Sequence, residues 1–522
     1  METRREWRPR SNPWLIALAT CLPTFMVVLD TSVANVALPH IAGSLSATSD
    51  EATWVLTSYL VSNAIVLPIT GWLSQFLGRK RFLIVSIIVF TISSVVCGAA
   101  LSLGMIVIGR IFQGASGGAL LPLSQAVLLE SFPPLKRGEA MAVFGLGVIV
   151  APIIGPTLGG WITDGYTWRW VFYINVPVGV LAVVLSQMLI EDPFYIKDAG
   201  PGTIDYVGFF LMALGLGTLQ IILDRGQKDD WFAATWICWF ATVSVVSLLT
   251  FLYWEFQASN PIVNLRILRN RNLSVGSFLG FIYGTALYGT LVMLPLFLQN
   301  LMGYPALKSG LSISPRGVGA LISTLIAGKI VGRVDGRFMI AAGFLIIATA
   351  SFLLGNITFQ ISMSSAAWPN FIMGMAIGFI FVPMSTLSMG TLPNRQIGTA
   401  VGLYNLTRTL GGSVGIAMIS TMLARDAQLH QALMVSHLTP YDPAFQTWFH
   451  HLLGFFSQQG DPVAAVREAY ATIYKTLVRQ ATLWAYVDNF RFLAYLTLFG
   501  VPIALLFKIG AHKESVKTPV KD

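Results

Sequence analysis

The chain has 522 residues, 55% of them hydrophobic and only 11% charged, with a mean hydropathy of +0.69. A soluble domain carries about 25% charged residues, so this composition excludes a soluble globular protein and requires an integral membrane one. The net charge of +9 does not indicate nucleic acid, because the basic residues sit in short stretches between apolar runs.

About 20 apolar residues cross a hydrocarbon core as one helix. That rule predicts an all-α chain with fourteen spans, beginning near Trp14, Trp54, Phe82, Met105, Ala140, Val171, Tyr206, Thr235, Leu273, Gly310, Phe338, Trp368, Thr399 and Phe490. The basic segment Met1–Arg10 precedes the first run as in a signal peptide. The run is too long for one and lacks a small-residue cleavage site, so it reads as a retained anchor.

The first span holds Leu29-Asp30-Thr31-Ser32-Val33-Ala34-Asn35-Val36-Ala37-Leu38-Pro39. An ionised side chain near the bilayer centre costs about 2.5–3.5 kcal/mol on insertion scales, so such a residue faces protein and usually has a task. Asp30 is the only acid so deep in an apolar run and is the first candidate for carrying a proton. The second span ends in Gly71-Trp72-Leu73-Ser74-Gln75-Phe76-Leu77-Gly78-Arg79-Lys80-Arg81, a tight turn with a basic rim. Arg110 and Gln113 follow in the fourth span, which runs opposite to the first. Asp30 lies about 24 Å along its helix, which puts Arg110 at a similar depth and within reach of a charge pair. The fifth span places Gly147, Gly155, Pro156, Gly159 and Gly160 where close helix packing needs small residues.

Arg316 in the tenth span and Arg408 in the thirteenth are further positives inside apolar runs. With Arg110 they set three cations against one acid, which leads to an expected preference for anionic or weakly acidic lipophiles over simple cations. Asn35, Gln113, Arg316, Tyr404 and Arg408 are the candidate lining of a substrate cavity, and Tyr59, Tyr283, Tyr288 and Phe379 could add aromatic surface.

Lys and Arg cluster at Arg4, Arg5, Arg8 and Arg10, at Arg79–Arg81, Lys136-Arg137, Arg266, Arg269 and Arg271, Arg333 and Arg337, and in the tail at Lys508, Lys513, Lys517 and Lys521. Under the fourteen-span count these share one face, so both termini are expected in the cytoplasm. Residues 425–487 form one long outer connection, with helical spacing in 462–484. His430, His437, His450 and His451 lie there without a ligand motif and read as solvated loop residues, so no metal site is assigned. Cys21, Cys97 and Cys238 have neither disulfide nor zinc spacing.

The segment from Gly71 returns at Gly328-Lys329-Ile330-Val331-Gly332-Arg333, 257 positions later, and Lys136-Arg137 returns at Asn394-Arg395 with nearly the same offset. Two matching six-helix halves around a central cavity follow from this repeat. The expected organisation is a cytoplasmic N-terminus (1–13), an N-terminal bundle (14–190), two linker helices (191–265), a C-terminal bundle (266–510) that includes the outer loop, and a cytoplasmic tail (511–522).

These residues resemble the major facilitator superfamily, in its 14-helix drug:proton antiporter branch and its EmrB-type multidrug efflux pumps in particular. The resemblance covers essentially the whole chain. It rests on Leu29–Pro39, Gly71–Arg81, Arg110-Ile111-Phe112-Gln113-Gly114 and Gly155–Gly160, supported by Trp168–Pro177, Leu223–Gly226 and Asn405–Gly412. It implies proton-driven export of lipophilic drugs from a bacterial inner membrane by alternating access, with Asp30 and Arg110 in proton coupling. It further implies a cytoplasmic gate at Gly71, Gln75, Gly78, Arg79 and Lys80, and a hinge or leak-proofing role for the fifth-span glycines. A periplasmic adaptor and an outer-membrane channel are the implied protein partners, beside membrane lipid, and no cofactor is implied. Gln75 stands where the family has an acid, which puts a charged latch at that corner in question.

Other classes weigh less. No G-x-x-x-x-G-K-[ST] loop for ATP is present. An intramembrane enzyme would need a nucleophile–base set or a metal cluster within the spans, and the histidines lie in loops or the tail. A stand-alone exporter of one endogenous lipid or siderophore, and a non-transporting receptor, are the remaining alternatives.

Overall fold

The structure is a computed structural model that describes residues 9–133, 136–193, 205–458 and 462–508. The readings placed on Arg4, Arg5, Arg8, Lys513, Lys517, Lys521 and the tail 511–522 lie outside the described residues.

Helix punctuation is local. Asn12 accepts the Trp14 amide at 2.9 Å, and Pro13 opens α1, Pro13–Ser44. Then come α2 (Trp54–Phe76), α3 (Arg79–Gly98), α4 (Leu103–Ser131), α5 (Arg137–Gly165) and α6 (Asn175–Leu189). The side chains of Ser102 and Asp205 cap α4 and α7 (Tyr206–Arg225), and α8 spans Thr235–Gln257. Asn270 caps α9 (Arg271–Leu296), which continues as a π turn, Phe297–Leu301. The short helix Ala306–Ile313 leads into α10 (Pro315–Ile330). Asp335 and Ser362 cap α11 (Gly336–Leu354) and α12 (Met363–Met389). The turns from α2 to α3 and from α10 to α11 each hold a glycine in the left-handed region, Gly78 at φ +82° and Gly332 at φ +93°.

Helices α1 to α12, with α6 taken from Trp170 and α10 from Lys308, are long and apolar enough to cross a membrane. Helix α8 leaves Trp239, Val245, Leu249 and Tyr253 exposed, which only a lipid surround makes favourable.

Residues 425–487, expected as an outer loop with helical spacing over 462–484, are helical in their first half as well. They are mostly helical: α13 runs unbroken over Asn394–Val435, α14 over Pro443–Ser457 and α15 over Pro462–Ala504. No glycine or proline occurs between Gly415 and Pro440, or between Pro462 and Gly500, so nothing stops either helix at a membrane surface. At 42 and 43 residues each helix is about 64 Å long, roughly twice a 30 Å hydrocarbon core.

Packing follows the repeat. Helix α1 lies against α5, α4 and α6, as α9 lies against α13, α12 and α15. The pair α2–α4 matches α10–α12, and α3–α6 matches α11–α15. The two bundles meet along two equivalent seams, α2 with α13 and α5 with α10. Helix α7 packs on both α2 and α13, so the linker hairpin sits along the first seam. At its far turn, Trp231 Nε1 donates to Thr421 Oγ1 at 2.9 Å, and Thr57 bonds Asp224.

The face where α1 begins is called basal here and the opposite face distal. The two seams are tight near the basal face. The Cβ that Gly71 lacks would lie 2.5 Å from Thr399 Cα, and that of Gly328 would lie 2.5 Å from Ala142 Cβ. Nearby, Arg137 donates to Asn394 Oδ1 at 3.1 Å, and the rings of Phe144 and Phe381 stack at 6.4 Å. Deeper, Asn405 donates to Gln125 Oε1 at 2.9 Å between the bundles.

Candidate functional site

Asp30 is fully buried at the meeting of α1, α4 and α6. Arg110 Nη1 donates to Asp30 Oδ2 at 2.5 Å, and both side chains are wholly shielded from solvent. Asp30 Oδ1 accepts from Gln113 Nε2 at 2.8 Å and from Asn175 Nδ2 at 2.7 Å. Gln113 Oε1 in turn accepts from Arg110 Nη1 at 2.9 Å. Ser94 Oγ accepts from Asn175 and Gln113 and donates to the Phe172 carbonyl. Arg110 is pinned from its other side, with Nε donating to the Val55 carbonyl at 3.0 Å and the Tyr59 ring 4.2 Å from its guanidinium carbon. Four helices, α1, α3, α4 and α6, and the start of α2 therefore converge on one carboxylate.

Asp30, Arg110 and Gln113 are thus brought together, so Gln113 holds the carboxylate rather than lining a cavity. Tyr59 is likewise packed beneath Arg110. Asn175 and Ser94 were not among the expected site residues. Asn175 does lie in the quoted segment Trp168–Pro177, where a buried carboxamide at the start of an apolar run is the visible signal.

The glycine-rich fifth span packs on α1 unevenly. Cβ atoms at Gly155 and Gly159 would lie 2.4 Å from Ser32 Oγ and 3.0 Å from Val33 Cγ1. At Gly147 the nearest atom is 3.7 Å away, at Gly160 there is open space, and Pro156 is exposed. Asn35 is exposed on α1.

At the basal corner, Arg79 is buried against Glu130 of α4. Lys80 donates from its amide to Asp192 Oδ1 at 2.9 Å and from Nζ to the Gln187 carbonyl at 2.6 Å. Gln75 is half-buried, and its side chain makes no hydrogen bond among the described residues. The acid facing Arg79 therefore comes from α4, inside the N-terminal bundle, while across the seam Gly71 packs on Thr399 and Arg79 lies beside Gly398.

In the C-terminal bundle Arg316 is buried and donates to Thr290 Oγ1 at 2.5 Å, with Met373 Sδ beside it, so it does not reach out to an interface. Arg408 is half-buried, 5.7 Å from the Phe381 ring centroid. Tyr404 is fully buried, with no hydrogen-bond partner for its hydroxyl among the described residues. Of the loop histidines, His430 meets Asp488 at 2.7 Å at the root of the α13–α15 projection. No cluster of metal-binding side chains occurs among the described residues.

A buried acid–base pair inside a two-repeat helical bundle defines a membrane transporter architecture. The chain belongs to the major facilitator superfamily, whose family model matches residues 20–416. It is 39% identical over 443 residues to the multidrug export protein EmrB of Haemophilus influenzae, covering 84% of this chain and 86% of that one. It is 38% identical over 449 residues to EmrB of Escherichia coli K12, covering 85% and 87%. The fatty acid resistance protein FarB of Neisseria gonorrhoeae is 34% identical over 501 residues, covering 95% and 96%. The fold matches the human organic anion transporter MFSD10 with a TM-score of 0.61 at 14% identity, covering 94% of this chain and all of that one. The expected resemblance to EmrB-type pumps is borne out.

Proposed function

We propose that the chain is a proton-driven exporter of lipophilic toxic compounds in a bacterial inner membrane, working by alternating access. The observation that carries this is the Asp30 carboxylate, wholly buried and held by Arg110, Gln113 and Asn175. A carboxylate in this cage cannot take a proton and keep the same bonds. Protonation removes the charge that Arg110 faces and turns one oxygen from acceptor to donor. Two protonation states therefore favour two arrangements of α1, α4 and α6, and a ligand that binds one arrangement better shifts the balance. The names of the EmrB relatives support drugs as cargo.

On this reading the basal face is cytoplasmic, which its row of Arg79, Lys80, Arg137, Arg271, Arg337 and Lys508 supports under the positive-inside rule. Both termini are then cytoplasmic, the bundles are 14–190 and 266–510, and the described conformation is closed to the cytoplasm. The α13–α14–α15 projection stands about 30 Å beyond the outer surface, a fitting dock for a periplasmic adaptor leading to an outer-membrane channel.

The test is substrate-induced proton movement in proteoliposomes, comparing wild type with Asp30→Asn. Coupled flux that is lost in the variant, with substrate binding kept, is the expected result. Unchanged coupling in Asp30→Asn would remove Asp30 from the mechanism, and no flux in either protein would favour a receptor.

A further inference from the structure

The two bundles build the same corner with different residues. In the N-terminal bundle α4 presses on α2, and the Cβ that Gly114 lacks would lie 2.3 Å from the Tyr59 carbonyl oxygen. In the C-terminal bundle α12 presses on α10 in the same way, and the missing Cβ of Gly374 would lie 2.1 Å from the Arg316 carbonyl oxygen. Positions 110, 113 and 114 thus correspond to 370, 373 and 374, and Tyr59 corresponds to Arg316. Arginine and glutamine on α4 have become Asn370 and Met373 on α12, and the tyrosine beneath them has become an arginine. The carboxylate has no counterpart.

Arg316 is 5% exposed. Its Nη2 reaches Thr290 Oγ1 and Met373 Sδ, and its Nε has no hydrogen-bond partner among the described residues. Thr290, Asn370 and Met373 are buried and neutral. Tyr283, also buried, lies within electrostatic reach of both Arg316 and Arg408. Among the described residues no acid forms an ion pair with either arginine. A guanidinium cannot shed its proton, and a buried charge needs a counter-charge. Arg316 lies about 12 Å into the span that starts at Lys308, and Arg110 about 10 Å into α4, so the unmatched cation is level with the Asp30–Arg110 pair.

We infer that Arg316 binds the carboxylate head of an amphipathic substrate, with the Thr290 hydroxyl beside it and Arg408 as a second cation on the approach. This deepens the export reading and rests on it only for the direction of transport, since binding at Arg316 is measured without a gradient.

The experiment is binding to the purified full-length protein in nanodiscs at pH 8, with dodecanoate, dodecanol and dodecyltrimethylammonium as probes. Wild type is expected to bind dodecanoate about tenfold or more tightly than dodecanol, because a guanidinium–carboxylate contact adds a charge-assisted fork. Arg316→Gln is expected to erase that ratio chiefly by weakening dodecanoate binding, and Arg316→Lys to keep part of it. If Arg316→Gln does not purify as a monodisperse protein, Arg316→Lys and Thr290→Val carry the test, and each is expected to lower the ratio several-fold. No anion preference in wild type, or a ratio untouched by these substitutions, overturns the inference. Proton flux in proteoliposomes separates the two readings: binding without coupled flux sinks antiport alone, and coupled flux with an unaltered ratio sinks the Arg316 site alone.

Discussion

The carboxamide of Asn175, at the start of α6, donates to Asp30 Oδ1 at 2.7 Å while also donating to Ser94 Oγ at 2.9 Å. The carboxylate of α1 is thereby tied to α3 and α6 as well as to the arginine of α4. A single proton on Asp30 would disturb its bonds to α4 and α6 at once and, through Ser94, the link to α3.

Replacing Asn175 by Ala should leave a folded protein with weakened coupling. A hydrogen bond to a charged group contributes about 1.5–3 kcal/mol, so substrate-driven proton flux should fall roughly ten- to a hundredfold. Flux in proteoliposomes, with substrate binding measured on the same preparation, checks this. Wild-type flux in Asn175→Ala would reduce Asn175 to a packing residue.

The basal seam should be sensitive to a single methyl group. Gly71→Ala puts a Cβ 2.5 Å from Thr399 Cα and 2.7 Å from its amide nitrogen, where backbone cannot yield cheaply. The expected outcome is a population shift away from the basally closed state, seen as a longer spin-label distance between the basal ends of α2 and α13. Gly160→Ala, which meets open space, should leave that distance unchanged.

The root of the distal projection should respond to pH. Burial, then the charge of Asp488, pushes the Asp426 carboxyl above its ordinary range, while His430 and the Asn489 amide pull it back. A carboxyl raised in the folded state holds its proton more tightly there than in the unfolded chain. Its contribution to stability is therefore present at low pH and lost as pH rises through the raised value. Asp426 is half-buried, and solvent screening keeps the effect small. Protection factors of the amides around residues 424–432, taken relative to intrinsic exchange at each pH, should rise on acidification from neutral pH toward the ordinary aspartate range. Asp426→Asn should show that added protection already at neutral pH.

The projection itself should matter in cells rather than in vesicles. Excising α14 with its flanking turns and joining α13 to α15 by a short Gly/Ser link should abolish drug resistance where an adaptor is needed. The same variant should keep substrate-driven proton flux in proteoliposomes. Retained resistance would argue for an exporter that works alone.

How much of this could be read in the sequence varies by element. Asp30 and Arg110 stand out because each is a charge in an apolar run, and opposite helix directions set them at one depth. Gln113 was visible only as part of the Arg110–Gly114 segment, and nothing local said that it would turn to Asp30 rather than to a cavity. Asn175 sits at a helix start among aromatic residues and looks like a cap until α6 is seen beside α1. Similarly, Arg79 offered a basic rim in the sequence, and only the packing of α3 on α4 reveals Glu130 against it. In the long outer connection the helical spacing of 462–484 is legible, whereas polar residues hide the continuation of α13 past Arg425, although no glycine or proline interrupts it.

The sequence by itself determined the membrane class, the apolar runs, the repeat of about 257 positions and the family, because hydropathy and short motifs are local and the bilayer acts on them directly. The tertiary structure alone decided which faces meet. Helices that are apolar nearly all round carry little rotational signal, so their contacts depend on where glycines let backbones approach. That is how Gly114 and Gly374 came to set Tyr59 and Arg316 in equivalent corners, one beside a carboxylate and the other without one.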